Sequence, residues 1–438
     1  MKIKVLIMGM LLIGASAIWG QEKLQQMDLT GCIDYALKNN IQIKKSKVTL
    51  ETSEITSKQA KAQRLPDLNG QASGNLVNRP LLTNGGDENS FSGNYSLNSS
   101  MTLYNGGRIS KNIKQQELTV EANKYVVLEA EKSIEMTILQ LYLRILYSSE
   151  KVSIDKATLD VSLYQVERAK SLRAAGSISE ADLAKLEAQY ATDKYQLVTS
   201  ENGLKSSQLE LKQLLELNVT DEMTLMIPNL DSLNVLKPLP ELPLVYDKSL
   251  ASMPQVKGSK INSDIAVLDT KIYKADYLPR VSLNASVGTN HSSVSSYSYN
   301  DQLHNNYSNG VGVSVSVPIF NNRSTKSNVQ RAKLREITAQ LNMQETEKAL
   351  LKEVELAYQD AVSAQSQYVA ASEKVKALQT SYDLITQQFN LGMKNTLDLL
   401  TEKNNLLSAQ QSLLQSKYLS IMNAQLLNLY QDYPLEIK

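Results

Sequence analysis

The sequence predicts an α+β membrane protein, internally duplicated, with four transmembrane β-strands per chain running into very long coiled-coil helices. Three observations predict it. A set of motifs occurs twice, about 216 residues apart and in the same order. Four segments alternate apolar residues with uncharged polar ones, each about the 9–11 residues of a tilted membrane strand. After the second strand of each copy comes a helical pattern far longer than a globular domain uses.

The duplication is legible residue by residue. Leu65-Pro66-Asp67-Leu68 returns as Leu278-Pro279-Arg280-Val281. Leu103-Tyr104-Asn105-Gly106-Gly107-Arg108 returns, one residue shorter, as Ile319-Phe320-Asn321-Asn322-Arg323. Gly176-x-x-Ser179-x-x-Asp182-Leu183 returns as Gly392-x-x-Asn395-x-x-Asp398-Leu399. The chain divides into residues 1–20, 21–225 and 226–438: a signal peptide and two structural repeats. The second repeat opens on a proline-rich linker, 226–254, expected at the equator of the molecule.

Lys2 and Lys4, followed by the apolar run Val5 to Ile13, read as a secretory signal cleaved after Ala17 or Gly20. The run falls short of the ~20 residues that span a bilayer as a helix. The formal charge of +1 drops to −1 when those two lysines leave, which gives no footprint for nucleic acid. Cys32 is the only cysteine, so no intramolecular disulfide forms. Leu29-Thr30-Gly31-Cys32 imitates a lipidation box, but the charged stretch Gln21 to Asp28 separates it from the apolar run. A buried helical cysteine is expected instead.

Residues 30–64 read as one helix, with Ile33, Leu37, Ile41, Val48 and Ile55 on its apolar period, stopped by Pro66. The strands follow. In Phe91 to Leu103 the even positions are all Ser, Asn or Thr. Val281, Leu283, Ala285 and Val287 alternate with Ser282, Asn284, Ser286 and Gly288; Val311 through Ile319 do the same. The segment 67–77 is weaker. A soluble sheet with one face on a core would alternate likewise. The uncharged polar face and the lack of any partner for the apolar face favour a membrane. The loops 78–90 and 290–310 are polar. His291 and His304, both in the second, read as solvated residues too far apart for a metal site.

The long helices are expected over about 109–174 and 324–390, some 95 Å each at 1.5 Å per residue. Their seams show in Ile134, Ile138, Leu141 and Ile145, and in Val375, Leu378, Tyr382, Ile385 and Phe389. Returning helices are expected over 179–216 and 395–430, the latter with Asn404 and Gln411 at seam positions that fix register. The linker carries Pro228, Pro238, Pro240, Pro243 and Pro254, half of the chain's 10 prolines, and predicts an extended path with short elements at most.

At each hairpin tip, Gly176 or Gly392 suits a left-handed helix end, Ser179 or Asn395 an N-cap, and Asp182 or Asp398 the third helical position. Capping accounts for both aspartates. A symmetric oligomer would in addition place Asp398 in a ring, which would bind cations. Tyr104 and Phe320, each ending a strand, suit a membrane–water interface. Four strands cannot close a barrel; two chains give a small filled one, three give twelve strands around a lumen. The polar inner face favours the larger count. No catalytic, cofactor or metal site is expected.

Taken together, Leu29-Thr30 before Ala36-Leu37-Lys38-Asn39-Asn40, the two Leu-Pro pairs, Leu103 to Arg108, Pro318-Ile319-Phe320-Asn321 and the two tips make the chain resemble the TolC family of bacterial outer-membrane efflux proteins. The resemblance covers essentially the whole mature sequence. It implies a homotrimer with a 12-stranded barrel in outer-membrane lipid and an α-helical barrel in the periplasm. It implies passive export of small molecules, without catalysis, in a tripartite efflux or type I secretion system. A periplasmic adaptor would dock on the tips Arg173–Glu180 and Phe389–Thr396, here Arg173, Gly176, Ser179, Gly392, Lys394 and Asn395, and an inner-membrane pump would supply the energy. Asp398 matches the first acid of the family's constriction, whereas the second falls on Thr401, a departure from a double acidic ring. The competing reading is a periplasmic or surface coiled-coil adaptor without a pore; it would not need four uncharged alternating strands.

Overall fold

The computed structural model describes residues 27–78, 89–218, 220–221, 223–226 and 235–435. The expected signal peptide, residues 1–20, and most of the first strand-connecting loop lie outside the described residues. In chain order the elements are α1 (Leu29–Asn39), α2 (Ile41–Ala62), β1 (Asn69–Asn78), β2 (Asn89–Tyr104), α3 (Arg108–Ala174), α4 (Glu180–Leu214), α5 (Leu242–Ser252), α6 (Pro254–Lys274), β3 (Arg280–Ser292), α7 (Tyr299–Asn305), β4 (Ser308–Ser316), α8 (Ser324–Asn390) and α9 (Thr396–Tyr430).

Apart from α7, the described elements of the two copies correspond in order. α3 and α8 have 67 residues each, α4 and α9 have 35, and α1 and α5 have 11. Two sequence expectations change as a result. The helix over 30–64 is broken at Asn40, whose extended ψ of 131° ends α1 while its side chain accepts the backbone N–H groups of Gln42 and Ile43 to start α2. The proline-rich stretch is helical from Leu242 onward. Pro243 and Pro254 sit in the first turns of α5 and α6, where a missing N–H costs nothing. α5 and α6 are therefore the second copies of α1 and α2.

The turns that open α3 and α8 share one backbone shape, although β2 leads into α3 through residues 105–107 and β4 into α8 through the longer 317–323. Gly106 and Gly107 take φ of 66° and 74° before α3; Asn322 and Arg323 take 50° and 63° before α8. A Cβ on Gly106 would press within 2.9 Å of the Ala275 carbonyl, so the first copy needs glycine for space as well as for angle.

The four strands form one antiparallel sheet in sequence order. Their register puts residues of one kind on one face. Leu97 lies opposite Val287 and Met101 opposite Leu283; Leu283 lies opposite Val313 and Ala285 opposite Val311. On the other face Asn98 meets Ser286, Ser100 meets Asn284, and Ser282 meets Ser314. Arg280, at the helical end, is the only charge on this polar face of the four strands. The apolar face is uncovered: Val311 is 77% and Val313 62% exposed. β4 ends at Ser316, before Pro318, so Val317 and Ile319 lie beyond it.

Next to the sheet the helices form a layer in the order α2–α3–α6–α8. Ile41, Val48 and Ile55 do not enter the core of the chain. They form a seven-residue stripe exposed on the free side of α2, which buries Ile43, Ser46, Ser53, Ser57 and Ala60 instead. At the other edge α8 exposes Leu334, Ile337 and Leu341. The largest core sits at the equator, where α1 and the middle of α3 (Ile138, Leu139, Tyr142, Leu146) meet the ends of α4 and α9. A second core packs α5 through Val245 against Leu350, Val354 and Leu427. Farther from the sheet, α3/α4 and α8/α9 continue as two helical hairpins. Among the described residues no helix is long and apolar enough to cross a membrane.

Candidate functional site

The arrangement offers a polar wall in the sheet and two helical tips at the far end. Each tip is dictated locally. Gly176 takes φ 74° and Gly392 φ 75°, and a Cβ on either would meet nothing within 4 Å. Glycine is there for backbone angle alone. The C″ residues close the helix ends, Ser177 N donating to Leu172 O and Met393 N to Gln388 O, both at 2.9 Å.

The helices then restart with different side-chain economies. In the first tip Ser179 Oγ accepts from Asp182 N at 3.1 Å and donates to Asp182 Oδ2 at 2.7 Å. Lys185 Nζ adds a contact at 3.1 Å. The Ser179 hydroxyl first, and then Lys185, hold the Asp182 carboxyl below its ordinary value. Arg173 Nε reaches Glu180 at 2.8 Å, tying the hairpin across its own turn. In the second tip Asn395 Oδ1 caps Asp398 N at 2.9 Å, but the Asp398 carboxylate is left with a loose ion pair to Lys394 at 3.7 Å and is 39% exposed. The second tip also carries Leu391, Met393 and Leu397, all exposed, an apolar surface with no counterpart in the first and one the sequence reading did not single out.

Thr401 is exposed on the same side of α9 as Asp398, one turn farther on, and Asn405, Ser408 and Ser412 continue that stripe. The stripe is uncharged and hydroxyl-rich, like the polar face of the sheet. Glu402 accepts from Ser381 Oγ at 3.3 Å, which commits it to the α8/α9 seam and not to this stripe. Asn404 is exposed and Gln411 half-buried; neither is among the buried polar residues of α9. Lys403 is, and it meets Asp193 of α4 and Ser162 of α3. Lys403 falls one helical turn from Leu399 and Leu400 on one side and Leu406 on the other, a spacing that could have marked it as a seam position.

At the sheet, Tyr104 is the last residue of β2, opposite Val281 across an irregularity in register and so on the apolar face. Phe320 is exposed but lies beyond the end of β4, which corrects its expected place at a strand terminus. His291 is not a solvated loop residue. It lies in β3, 9% exposed, against the rings of Phe91, Tyr95 and Tyr299. Among the described residues no group of three or more His, Cys, Asp or Glu side chains could hold a metal ion.

This geometry has known counterparts. Residues 32–216 and 245–430 each match the family model described as outer membrane efflux protein. The chain is 21% identical over 416 residues to the outer membrane efflux protein BepC of Brucella suis, covering 95% of this chain and 87% of that protein. It is 21% identical over 428 residues to the outer membrane protein TolC of Escherichia coli, covering 96% and 84%. The fold superposes on a solved CusC structure with a TM-score of 0.82 at 18% identity, over 94% of each chain. It superposes on VceC from Vibrio cholerae with 0.76 at 18%, over 93% of this chain and 97% of that one. The chain belongs to the outer membrane efflux protein family and is an outer-membrane efflux channel that reaches into the periplasm.

Proposed function

We propose that three copies close head to tail into one passive exit duct, β4 of each pairing with β1 of the next. The observation that carries this is that the sheet and the helical layer end at the same two sides of the chain. β1 and β4 are the free sheet edges, and α2 and α8, with their exposed Ile/Val and Leu/Ile stripes, are the free helical edges. An unpaired strand edge is not tolerated in lipid, and a heterologous contact that closes forms a ring. Twelve strands then surround a lumen lined by Ser, Asn, Thr and Gly.

The tips are the gated end. Asp398, with Thr401, lines the constriction, and an acid held by one loose lysine is available to cations. Arg173, Gly176, Ser179, Gly392, Lys394 and Asn395 present the tips to a periplasmic adaptor that links the duct to an inner-membrane pump. A pore-free adaptor role leaves the uncovered apolar sheet face without a purpose. The test is single-channel recording of the purified protein in a planar bilayer, with its mass measured in the same detergent. Conductance from a trimer that rises in Asp398→Ala is expected. A monomer, or no conductance even from that variant, overturns the gated duct.

A further inference from the structure

The short helix α7 lies on an unexpected side of the sheet. Thr289 Oγ1 donates to Leu303 O at 2.7 Å, and the His291 ring meets Tyr299 edge-on at 4.7 Å. By register, Thr289 and His291 point to the same face as Leu97 and Val287, the apolar one. α7 therefore leans on the outer wall of the sheet, at the end away from the long helices, and not over the polar face. The seat is built for this ring. A Cβ on Gly93 would come within 2.2 Å of His291, and the buried Nδ1 of His291 has no hydrogen-bond partner.

Around this seat Tyr297, Tyr299 and Tyr307 are 65%, 49% and 57% exposed. Residues 289–309 contain no Lys or Arg, in a chain that carries 46 of them, and a single acid, Asp301. Asp301 is occupied by the Ser298 hydroxyl at 2.6 Å. The surface continues the lipid-facing wall at its outer end, where headgroups replace hydrocarbon. A phosphate-binding surface at that level would need Arg or Lys. Exposed tyrosine rings among Ser, Asn and Gln instead suit uncharged sugars, whose apolar faces lie on aromatic rings and whose hydroxyls exchange hydrogen bonds with hydroxyls and amides.

We infer that α7 with Tyr297, Tyr299 and Tyr307 is a contact for the uncharged sugar headgroups of an outer-leaflet glycolipid, a reading that rests on the sheet being inserted in the membrane. The test is hydrogen exchange on the full-length protein in nanodiscs of three compositions: phosphatidylglycerol alone, with lipid A lacking core sugars, and with lipopolysaccharide carrying core sugars. Exchange of the α7 amides is expected to slow about tenfold only with the core sugars. That slowing should be lost in Tyr297→Ala/Tyr307→Ala, whose side chains are largely exposed. Equal α7 protection in all three, slowing by lipid A alone, or slowing that survives the double variant would overturn the inference. A nitroxide on Val313→Cys, on the exposed apolar face, reports separately: shielded from a water-soluble relaxation agent in every disc it supports insertion, and open to that agent it overturns the membrane reading itself.

Discussion

Lys403 Nζ of α9 lies 2.6 Å from the Asp193 carboxylate of α4, and both side chains are only 5% exposed. Ser162 of α3 bonds to each of them, so one dry polar contact joins three helices of two hairpins. Gln189 Nε2 satisfies the other Asp193 oxygen at 2.8 Å. Just tipward, Leu400 packs with Val166, Ala169 and Leu186 and seals the network from that side. Removing one partner would leave a buried charge alone, at a cost of about 3–5 kcal/mol, whereas replacing both by apolar groups is often neutral. Lys403→Met should therefore destabilise the protein strongly to heat or urea, and Lys403→Met/Asp193→Leu should regain most of that loss. A double variant no more stable than the single one would show that the pair is not a unit.

The tip glycines make a separate prediction. With open space around both, Gly176→Ala and Gly392→Ala carry only the left-handed penalty, about 1–2 kcal/mol. A β-branched residue is worse at that angle. Gly392→Val should distort the second tip and weaken binding of the proposed adaptor, while the proposed trimer, whose edges lie far from the tip, should still form. Pull-down with the adaptor and the mass of the purified assembly measure the two effects. Equal loss of both would place the glycine in the packing of the trimer.

Much of this was legible in the sequence. The long helices, the sheet and the tip caps follow from local rules: alternation of period two, apolar steps of three and four, glycine and cap at fixed offsets. What escaped depended on neighbours. α4 buries Leu186, Asp193, Ser200 and Ser207, a seven-residue stripe that hydrophobicity does not reveal. Ile41, Val48 and Ile55 form the evident apolar stripe of α2 yet face away from the chain's own core. If copies assemble edge to edge as proposed, the most hydrophobic side of a helix need not face its own chain. His291 looked like a loop residue because its seat is made by Gly93 and Phe91 of a distant strand.

Cys32 predicts a silent thiol. It is fully buried in the equatorial core, and burial, with the Asp28 charge as a lesser cause, pushes it up to about 12. The thiolate, which is the nucleophile, is thus scarce in the fold. Because the folded value is raised above the unfolded one, the neutral thiol's contribution to stability is complete below the unfolded value of about 8.5. It fades as pH rises from there toward 12. At pH 8 a maleimide should leave the native protein unmodified and add one label per chain in denaturant. Rapid labelling of native protein would contradict this burial, and a lipid mass on Cys32 would contradict its helical place.

In the proposed duct, Asp398 and Thr401 would set how strongly the constriction holds cations. The two share one side of α9 a turn apart, so Thr401→Asp would add a second carboxylate about 5 Å from the first along the axis, and in a trimer a second ring. Two close rings bind a divalent cation far more tightly than one, because the charges act together in a narrow, poorly screened space. Wild-type conductance should therefore show weak block by magnesium. Asp398→Asn should abolish that block, and Thr401→Asp should lower the blocking concentration about tenfold or more. The Lys394 ion pair to Asp398 is loose at 3.7 Å, so Lys394→Ala should strengthen block only slightly. If Thr401→Asp left magnesium block unchanged while Asp398→Asn removed it, the stripe beyond Asp398 would face a neighbouring helix and not the pore.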